Sequence, residues 1–301
     1  MLGFSGGVDS SCLLHALKHQ GVSFHALHVN HQLQSSSNEW AEHCAQVCSE
    51  LDVPFEALRV EVSQCEGLGL EGQARQARYR AIFQWMEARG HRLLMCAHHL
   101  DDQLETIMIQ LLRGSGLRGV GGMRLLAPAG VDGHLHPKIQ VVRPLLRCSK
   151  QTLLAYAREH GLRCVEDPSN LDTTLRRNWI RQELLPNMRS HYPQTPQALL
   201  RLAEHFQTYY DSQDQAYERL AVQLLSADGL LLLKPWRALV GTEQALVLHQ
   251  WLRNQGVRCG QAKLQELAQQ LQKSQGGLRT VAKGWSVRVQ RNVASVEFSH
   301  S

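Results

Sequence analysis

An α/β fold built on a doubly wound, mainly parallel sheet, with a second, smaller and mostly helical domain after it, is the fold class this 301-residue chain predicts. Three observations predict it. Short apolar runs alternate with segments of 3.6-residue periodicity over the first 165 residues, the pattern of β-α-β units. A glycine-rich turn, Ser5-Gly6-Gly7-Val8-Asp9-Ser10, stands between the first apolar run and the first helical one. After Pro196 the periodicity is almost wholly helical until three short apolar runs close the sequence.

The elements follow in order. Met1 to Phe4 is a stub of strand, and Leu13, Leu14 and Leu17 mark one face of the helix after the turn. Val22 to Val29 reads as a strand. Ser36 and Glu39 have capping-box spacing ahead of a helix whose apolar face is Trp40, Cys44, Val47, Cys48 and Leu51. Val53 to Val60 is a strand, and Leu70 to Arg89 is a helix closed by Gly90. Arg92 to Ala97 is a short strand, and Asp101 to Arg113 is a helix ending before Gly114. Ser115 to Lys138 is rich in glycine, carries two prolines and has weak periodicity, so it reads as a long loop or small insertion. Ile139 to Val142 is a strand and Ser149 to His160 a capped helix ended by Gly161. Leu199 to Leu225 reads as one long helix or two, with further helices at Thr242 to Asn254 and Gln261 to Lys273. Leu278 to Val281, Trp285 to Gln290 and Ala294 to Phe298 read as strands. The divisions predicted are a catalytic domain at 1–190, a helical linker at 191–225 and a small α+β domain at 226–301.

Composition narrows the function classes. Hydrophobic residues are 43% and charged residues 20%, which suits a globular chain. No apolar run reaches the roughly 18 residues a membrane helix needs, and no signal peptide pattern follows Met1, so a cytoplasmic enzyme is expected. The eight cysteines form no C-x-x-C pair, which argues against a zinc ribbon or a dithiol redox motif. The net charge of +5 permits a polyanionic partner without demanding one. Its distribution says more: Arg176, Arg177, Arg181 and Arg189 cluster around a single acid, Glu183.

Ser5 to Ser10 carries the chemistry. Glycines let the backbone turn sharply and approach a phosphate closely, and the N–H groups of the helix start then point at the anion. Ser5 and Ser10 can donate hydroxyl hydrogen bonds. Asp9 would repel phosphate, a penalty a bound Mg²⁺ reverses, so Asp9 is a candidate metal ligand. No G-K-[ST] follows, so this is not the Walker loop. The turn resembles the PP-loop of the ATP pyrophosphatase superfamily, whose members adenylate a substrate and release pyrophosphate.

Further segments narrow the resemblance. His28-Val29-Asn30-His31-Gln32-Leu33 ends the second strand, where that fold places adenine. Glu71-Gly72-Gln73-Ala74-Arg75-Gln76-Ala77-Arg78-Tyr79 opens a helix. His98-His99-Leu100-Asp101-Asp102-Gln103-Leu104-Glu105-Thr106 joins the fourth strand to its helix. Arg113-Gly114, Arg143-Pro144-Leu145, Glu166-Asp167-Pro168-Ser169-Asn170 and Arg177-Asn178-x-x-Arg181 follow. Together they resemble the tRNA(Ile)-lysidine synthetase family over nearly the whole chain, most densely between Ser5 and Pro186. The H-H-x-D-D-x-x-E-T stretch is shared with other tRNA-modifying PP-loop enzymes, and the E-D-x-S-N and R-N-x-x-R pair is more specific. Members of the family carry a fuller first strand and a preceding helix ahead of the loop, and many carry a further small domain after the position of Phe298.

The resemblance implies ATP and Mg²⁺ as cofactors, with free L-lysine and an isoleucine tRNA bearing a CAU anticodon as substrates. A homodimer is compatible with it. The implied reaction adenylates the wobble cytidine at its C2 oxygen, after which the lysine amine attacks C2 and expels AMP. Ser5, Gly6, Gly7, Val8, Asp9, Ser10, His28, Asn30 and His31 are then the ATP-binding candidates. Asp101, Asp102 and Glu105 lie within about one helical turn. They can hold Mg²⁺, bind the lysine ammonium or relieve the amine of a proton, or merely complement a helix dipole. With Asp9, Arg78 and Arg113 they form the catalytic set, and Asp9 and Asp102 are the metal candidates. Arg78 and Arg113 are candidates for ATP phosphates or for charge on the activated base, against the plainer reading of solvated helix arginines. His98, His99, Asn170, Arg177, Asn178 and Arg181 are the lysine and tRNA candidates, phosphate contacts giving affinity and base contacts specificity. A zinc site at His98 and His99 is disfavoured because neighbours on a strand point to opposite faces. The rival readings are a 2-thiocytidine-type PP-loop enzyme, which the missing C-x-x-C opposes, and an inactive tRNA-binding homologue.

Overall fold

The computed structural model describes residues 1–30, 37–60, 70–131, 134–165, 176–257, 259–274, 277–282 and 285–298. The predicted His31, the acidic segment around Asn170 and the capping Ser36 lie outside them. The chain forms two compact units, Met1–Phe206 and Gln207–Ser301.

In the first unit the alternating pattern builds a six-stranded sheet with helices between strands. The elements are β1 (Leu2–Gly3), α1 (Val8–His19), β2 (Ala26–Asn30), α2 (Ser37–Glu50), β3 (Phe55–Arg59), α3 (Leu70–Ala88), β4 (Leu93–Met95), α4 (Leu100–Leu112), α5 (Leu117–Val120), β5 (Leu126–Val131), β6 (His134–Val142) and α6 (Lys150–Glu159). The sheet order is β3-β2-β1-β4-β6-β5. All neighbours are parallel except the edge strand β5, which runs antiparallel to β6. The sheet is therefore doubly wound, as predicted, and its order reverses between β1 and β4. That is where such folds open a crevice at the carboxyl ends of the strands. Apolar residues pack both faces: Leu27, Met86 and Ile139 belong to one cluster, and Leu2, Leu14 and Cys44 to the other.

Three departures from the predicted elements have local causes. β2 starts at Ala26 because Val22 belongs to the end of α1: its N–H donates to Leu17 O across the left-handed Gly21, a Schellman-type closure. Val53 likewise closes α2 by donating to Cys48 O, so β3 starts only after Pro54. The supposed insertion at 115–138 contains α5 and most of an antiparallel pair, whose register shifts between Pro128 and Gly130. Proline is tolerated there because β5 is an edge strand.

After 175 the chain continues as α7 (Arg176–Trp179), a π-helical turn at Ile180–Leu184, α8 (Leu185–His191) and α9 (Thr195–Leu224). The widened turn immediately precedes Pro186, which cannot donate to an α-helical ladder. Ile180 and Leu185 pack with Leu104 and Met108, fixing this segment against α4.

The second unit contains β7 (Leu231–Leu232), α10 (Leu233–Arg237), α11 (Gly241–Asn254), α12 (Gln261–Lys273), β8 (Gly277–Ala282), β9 (Trp285–Gln290) and β10 (Val293–Phe298). Its four-stranded sheet runs β7-β10-β9-β8 and is antiparallel throughout. Trp236, Trp251, Leu267 and Val287 form the centre of its core.

Candidate active site

A cavity of about 250 Å³ opens at the sheet's reversal point. It is lined by the ends of β1, β2 and β4 together with side chains of α1, α3 and α4. Among them are Ser5, Asp9, Ser10, His28, Arg75, Arg78, Tyr79, His98 and Asp102. Sequence positions spread over a hundred residues thus converge because each follows a strand of one parallel sheet.

The phosphate loop is held in shape by its own hydroxyls. Gly6 has a φ of +81°, a left-handed conformation that favours glycine. A Cβ there would also meet Cys44 Sγ at 2.9 Å. Ser10, almost fully buried, donates to Gly7 O at 3.0 Å and accepts the Ser5 backbone N–H at 3.2 Å, with Ser5 Oγ at 3.0 Å. Ser11 Oγ donates to Gly6 O. Gly7 caps α1 in an extended conformation without any side-chain cap bond, so the first turn of the helix faces the loop with backbone donors. His28 Nδ1 lies 3.0 Å from Phe4 O, and burial keeps this imidazole below the usual histidine range despite that bond. Asn30 Nδ2 donates to Asn38 Oδ1 and Ser37 O.

His99 caps α4. Its Nδ1 accepts the backbone N–H groups of Asp101 and Asp102, and its own backbone N–H donates to Asp102 Oδ2 at 3.0 Å. The accepting role of Nδ1 makes Nε2 the N–H nitrogen, which faces Asp9 Oδ2 at 3.7 Å and Asp102 Oδ2 at 3.5 Å. His98 lines the cavity with a buried Nδ1 that has no hydrogen-bond partner among the described residues. Burial pushes its pKa down to about 3, with Asp102 opposing and Arg143, Arg75 and Arg177 adding to the shift.

The three α4 carboxylates are each matched with a cation from the helical segment at 176–191. Glu105 is fully buried and receives Arg177 Nε and Arg181 Nε, each at 2.6 Å. Asp102 Oδ1 receives Arg177 Nη2 at 2.8 Å. Asp101 receives Arg189 Nη2 at 2.9 Å and the Lys150 backbone N–H at 2.8 Å. Burial alone would raise the Asp101 and Asp102 carboxyls. For Asp101 the Lys150 N–H and Arg189, and for Asp102 His99 and Arg177, hold them below the ordinary value instead. Asp9 is paired with Lys150 Nζ at 2.7 Å.

Of the predicted residues, Ser5, Asp9, Ser10, His28, Arg78, His98 and Asp102 line this one cavity, and others stand beside it. Arg177 and Arg181 point their guanidinium groups at Glu105 and Asp102, and Asn178 between them is buried. Arg113 is the exposed C-cap at the far end of α4, a helix about 20 Å long, and does not line the cavity. Lys150, Arg189, Arg75 and Tyr79 also belong to the site, beyond the residues the sequence points to. Arg75 lies over the Tyr79 ring at 5.1 Å and stands in the Glu71 to Tyr79 segment, whereas nothing in the sequence sets Lys150 apart from any lysine beginning a helix. Among the described residues no three His, Cys, Asp or Glu side chains converge as a metal cage. Mg²⁺ needs only one or two carboxylates beside substrate phosphates and water, and Asp9 and Asp102, which both line the cavity beside the phosphate loop, are a donor set of that kind.

Comparison with known proteins agrees with this geometry. The sequence matches the PP-loop domain, an ATP-binding domain, over residues 1–188. The tRNA(Ile)-lysidine synthase of Burkholderia pseudomallei is 36% identical over 304 residues, covering 97% of this chain and 60% of that protein. The tRNA(Ile)-lysidine synthase of Pseudomonas aeruginosa is 40% identical over 267 residues, covering 83% of this chain and 57% of that protein. The chain thus spans about 60% of the length of these curated relatives. Among solved structures, the U34-tRNA thiolase NcsA from Methanococcus maripaludis, determined with its [4Fe-4S] cluster, has a TM-score of 0.56 at 16% identity over 68% of this chain and 70% of that one, a likeness of fold alone. With more than half of its length matched, the chain belongs to the PP-loop domain family, and its curated relatives are tRNA(Ile)-lysidine synthases.

Proposed function

We propose that this chain forms lysidine on an isoleucine tRNA with a CAU anticodon. The carrying observation is the single cavity that gathers the phosphate loop, His28, Arg78, His98 and Asp102 at the reversal of a parallel sheet. ATP enters with its phosphates on the N–H groups of the loop and its adenine beside His28 and Asn30. Asp9 and Asp102 would hold Mg²⁺, which supplies charge neutralisation at the phosphates when bound. The cytidine C2 oxygen attacks the α-phosphorus, and the bond to pyrophosphate breaks. Arg75 and Arg78 face the negative charge that develops there. The lysine amine then attacks C2, loses a proton and expels AMP. Arg177 and Arg181 serve by fixing Asp102 and Glu105 rather than by reaching the tRNA. The wobble base reaches such a cavity only unstacked, so the reading includes base extrusion. Residues 226–301 are proposed to contribute tRNA contacts. Among the described residues no helix is long and apolar enough to cross a membrane.

The test is incubation of the full chain with ATP, Mg²⁺, labelled lysine and unmodified CAU-anticodon isoleucine tRNA, with the methionine tRNA of the same anticodon as control. Lysine entering only the isoleucine tRNA, and lost in Asp102→Ala, is the expected result. tRNA-dependent ATP cleavage to AMP without lysine incorporation would replace lysine by another nucleophile. RNA binding without ATP cleavage would leave a binding protein only.

A further inference from the structure

The phosphate loop contains its own obstacle. Asp9 stands in the first turn of α1, where the helix end attracts an anion, and a carboxylate there opposes a triphosphate. The segment Ser5 to Ser10 has no lysine to offset it. Lys150, far along the chain, supplies one: its Nζ donates to Asp9 Oδ1 at 2.7 Å.

The backbone that carries Lys150 is fixed from two sides. Its N–H donates to Asp101 Oδ2, and two residues earlier Cys148 O accepts the Leu100 N–H at 2.9 Å, so the start of α6 is tied to the start of α4. Cys12 Sγ donates to Leu153 O, and His15 Nδ1 meets Tyr156 Oη at 2.8 Å, so α6 is also tied to α1. With both helices held, the side chain of Lys150 reaches Asp9 from a set position. Lys150 is 37% and Asp9 30% exposed. A pair that open adds little to folding stability, so its consequence falls on binding.

We propose that Lys150 is a positioning residue of the phosphate loop, holding Asp9 so that its charge is cancelled and the loop can receive phosphate groups. This rests on the cavity being an ATP site. It is tested by calorimetry on the full chain in the presence of EDTA, with ATP, inorganic pyrophosphate and adenosine as probes. Lys150→Met is expected to weaken ATP and pyrophosphate by about 10- to 100-fold, the range for losing a hydrogen bond to a charged group. Adenosine binding should change by less than about twofold, and Lys150→Arg should recover most of the loss because the positive charge is kept. Because Lys150 acts through Asp9, the same Lys150→Met change in an Asp9→Asn background should cost under about threefold. Unchanged pyrophosphate binding in Lys150→Met overturns the proposal. So does a parallel loss of adenosine, which marks a collapsed site, or a full loss that persists beside Asp9→Asn, which marks direct contact with phosphate. If the unaltered chain binds neither ATP nor pyrophosphate, with Mg²⁺ as well as in EDTA, the ATP reading itself fails.

Discussion

Arg181 sets its Nε 2.6 Å from one carboxylate oxygen of Glu105 and its Nη2 3.1 Å from the other. A partly exposed guanidinium thus grips both oxygens of a carboxylate with no exposure at all, and Arg177 adds a second cation. The two partners are therefore unequal. Removing both arginines strands a buried charge, whereas removing the acid leaves two cations able to rehydrate. The double change Arg177→Ala with Arg181→Ala is expected to cost about 3–5 kcal/mol, and Glu105→Gln clearly less. Urea unfolding compares them, and a larger cost for Glu105→Gln would refute the asymmetry.

Gly6 is confined twice, by its left-handed backbone and by the sulfur beneath it. Gly6→Ala is expected to destabilise by about 1–3 kcal/mol and to weaken ATP binding, because the loop must shift to admit the methyl group. Cys44→Ala in the same chain removes the 2.9 Å contact but not the φ of +81°. The pair should therefore regain only part of the loss. Full recovery would show that backbone strain contributes nothing.

What the sequence disclosed and what it concealed follows from distance along the chain. The turn at Ser5 to Ser10 and the spacing of Asp101, Asp102 and Glu105 are local patterns, and each lies at a strand end of the doubly wound sheet. The partners of those acids are set by tertiary packing. Lys150 meets Asp9 across 141 positions, and Arg189 meets Asp101 across 88. The capping role of His99, itself a predicted site residue, hid for another reason: histidine is not among the usual helix-capping residues, yet its Nδ1 takes two of the orphan N–H groups of α4. Strand β5 hid because Pro128 and Gly130 read as loop residues, and only an edge position makes a strand of them.

In the second unit Arg237 of α10 closes the end of α12. Its Nε and Nη2 donate to Leu271 O at 3.0 and 2.9 Å, Nη2 also reaches Ser274 O, and Nη1 reaches Asn292 Oδ1 at 2.8 Å. Carbonyls in the last turn of a helix have no partner within it. Arg237→Met is expected to lower stability by about 1–3 kcal/mol. Arg237→Lys should recover less than half, since an ammonium cannot reproduce the fork. Equal stability of the lysine and arginine forms in urea would mean that charge, not geometry, closes the helix.

The acid side of the stability profile should carry the signature of His98. Burial lowers its pKa from the ordinary 6.5 to about 3, against the pull of Asp102. The unfolded chain therefore takes up a proton near pH 6.5 that the folded chain refuses until about pH 3. Its contribution is complete above pH 6.5 and shrinks as pH falls through that window, by up to about 1.4 kcal/mol per pH unit. His28, lowered by burial, acts in the same direction. Asp101 and Asp102, held below 3.8, lose their contribution only as pH falls beneath that value, so they do not mask the histidines between pH 6 and 4.5. Unfolding free energies across that interval should fall more steeply for the unaltered chain than for His98→Gln. Parallel slopes would mean that His98 accepts a proton inside the fold, the attraction of Asp102 then outweighing burial and the charges of Arg143, Arg75 and Arg177.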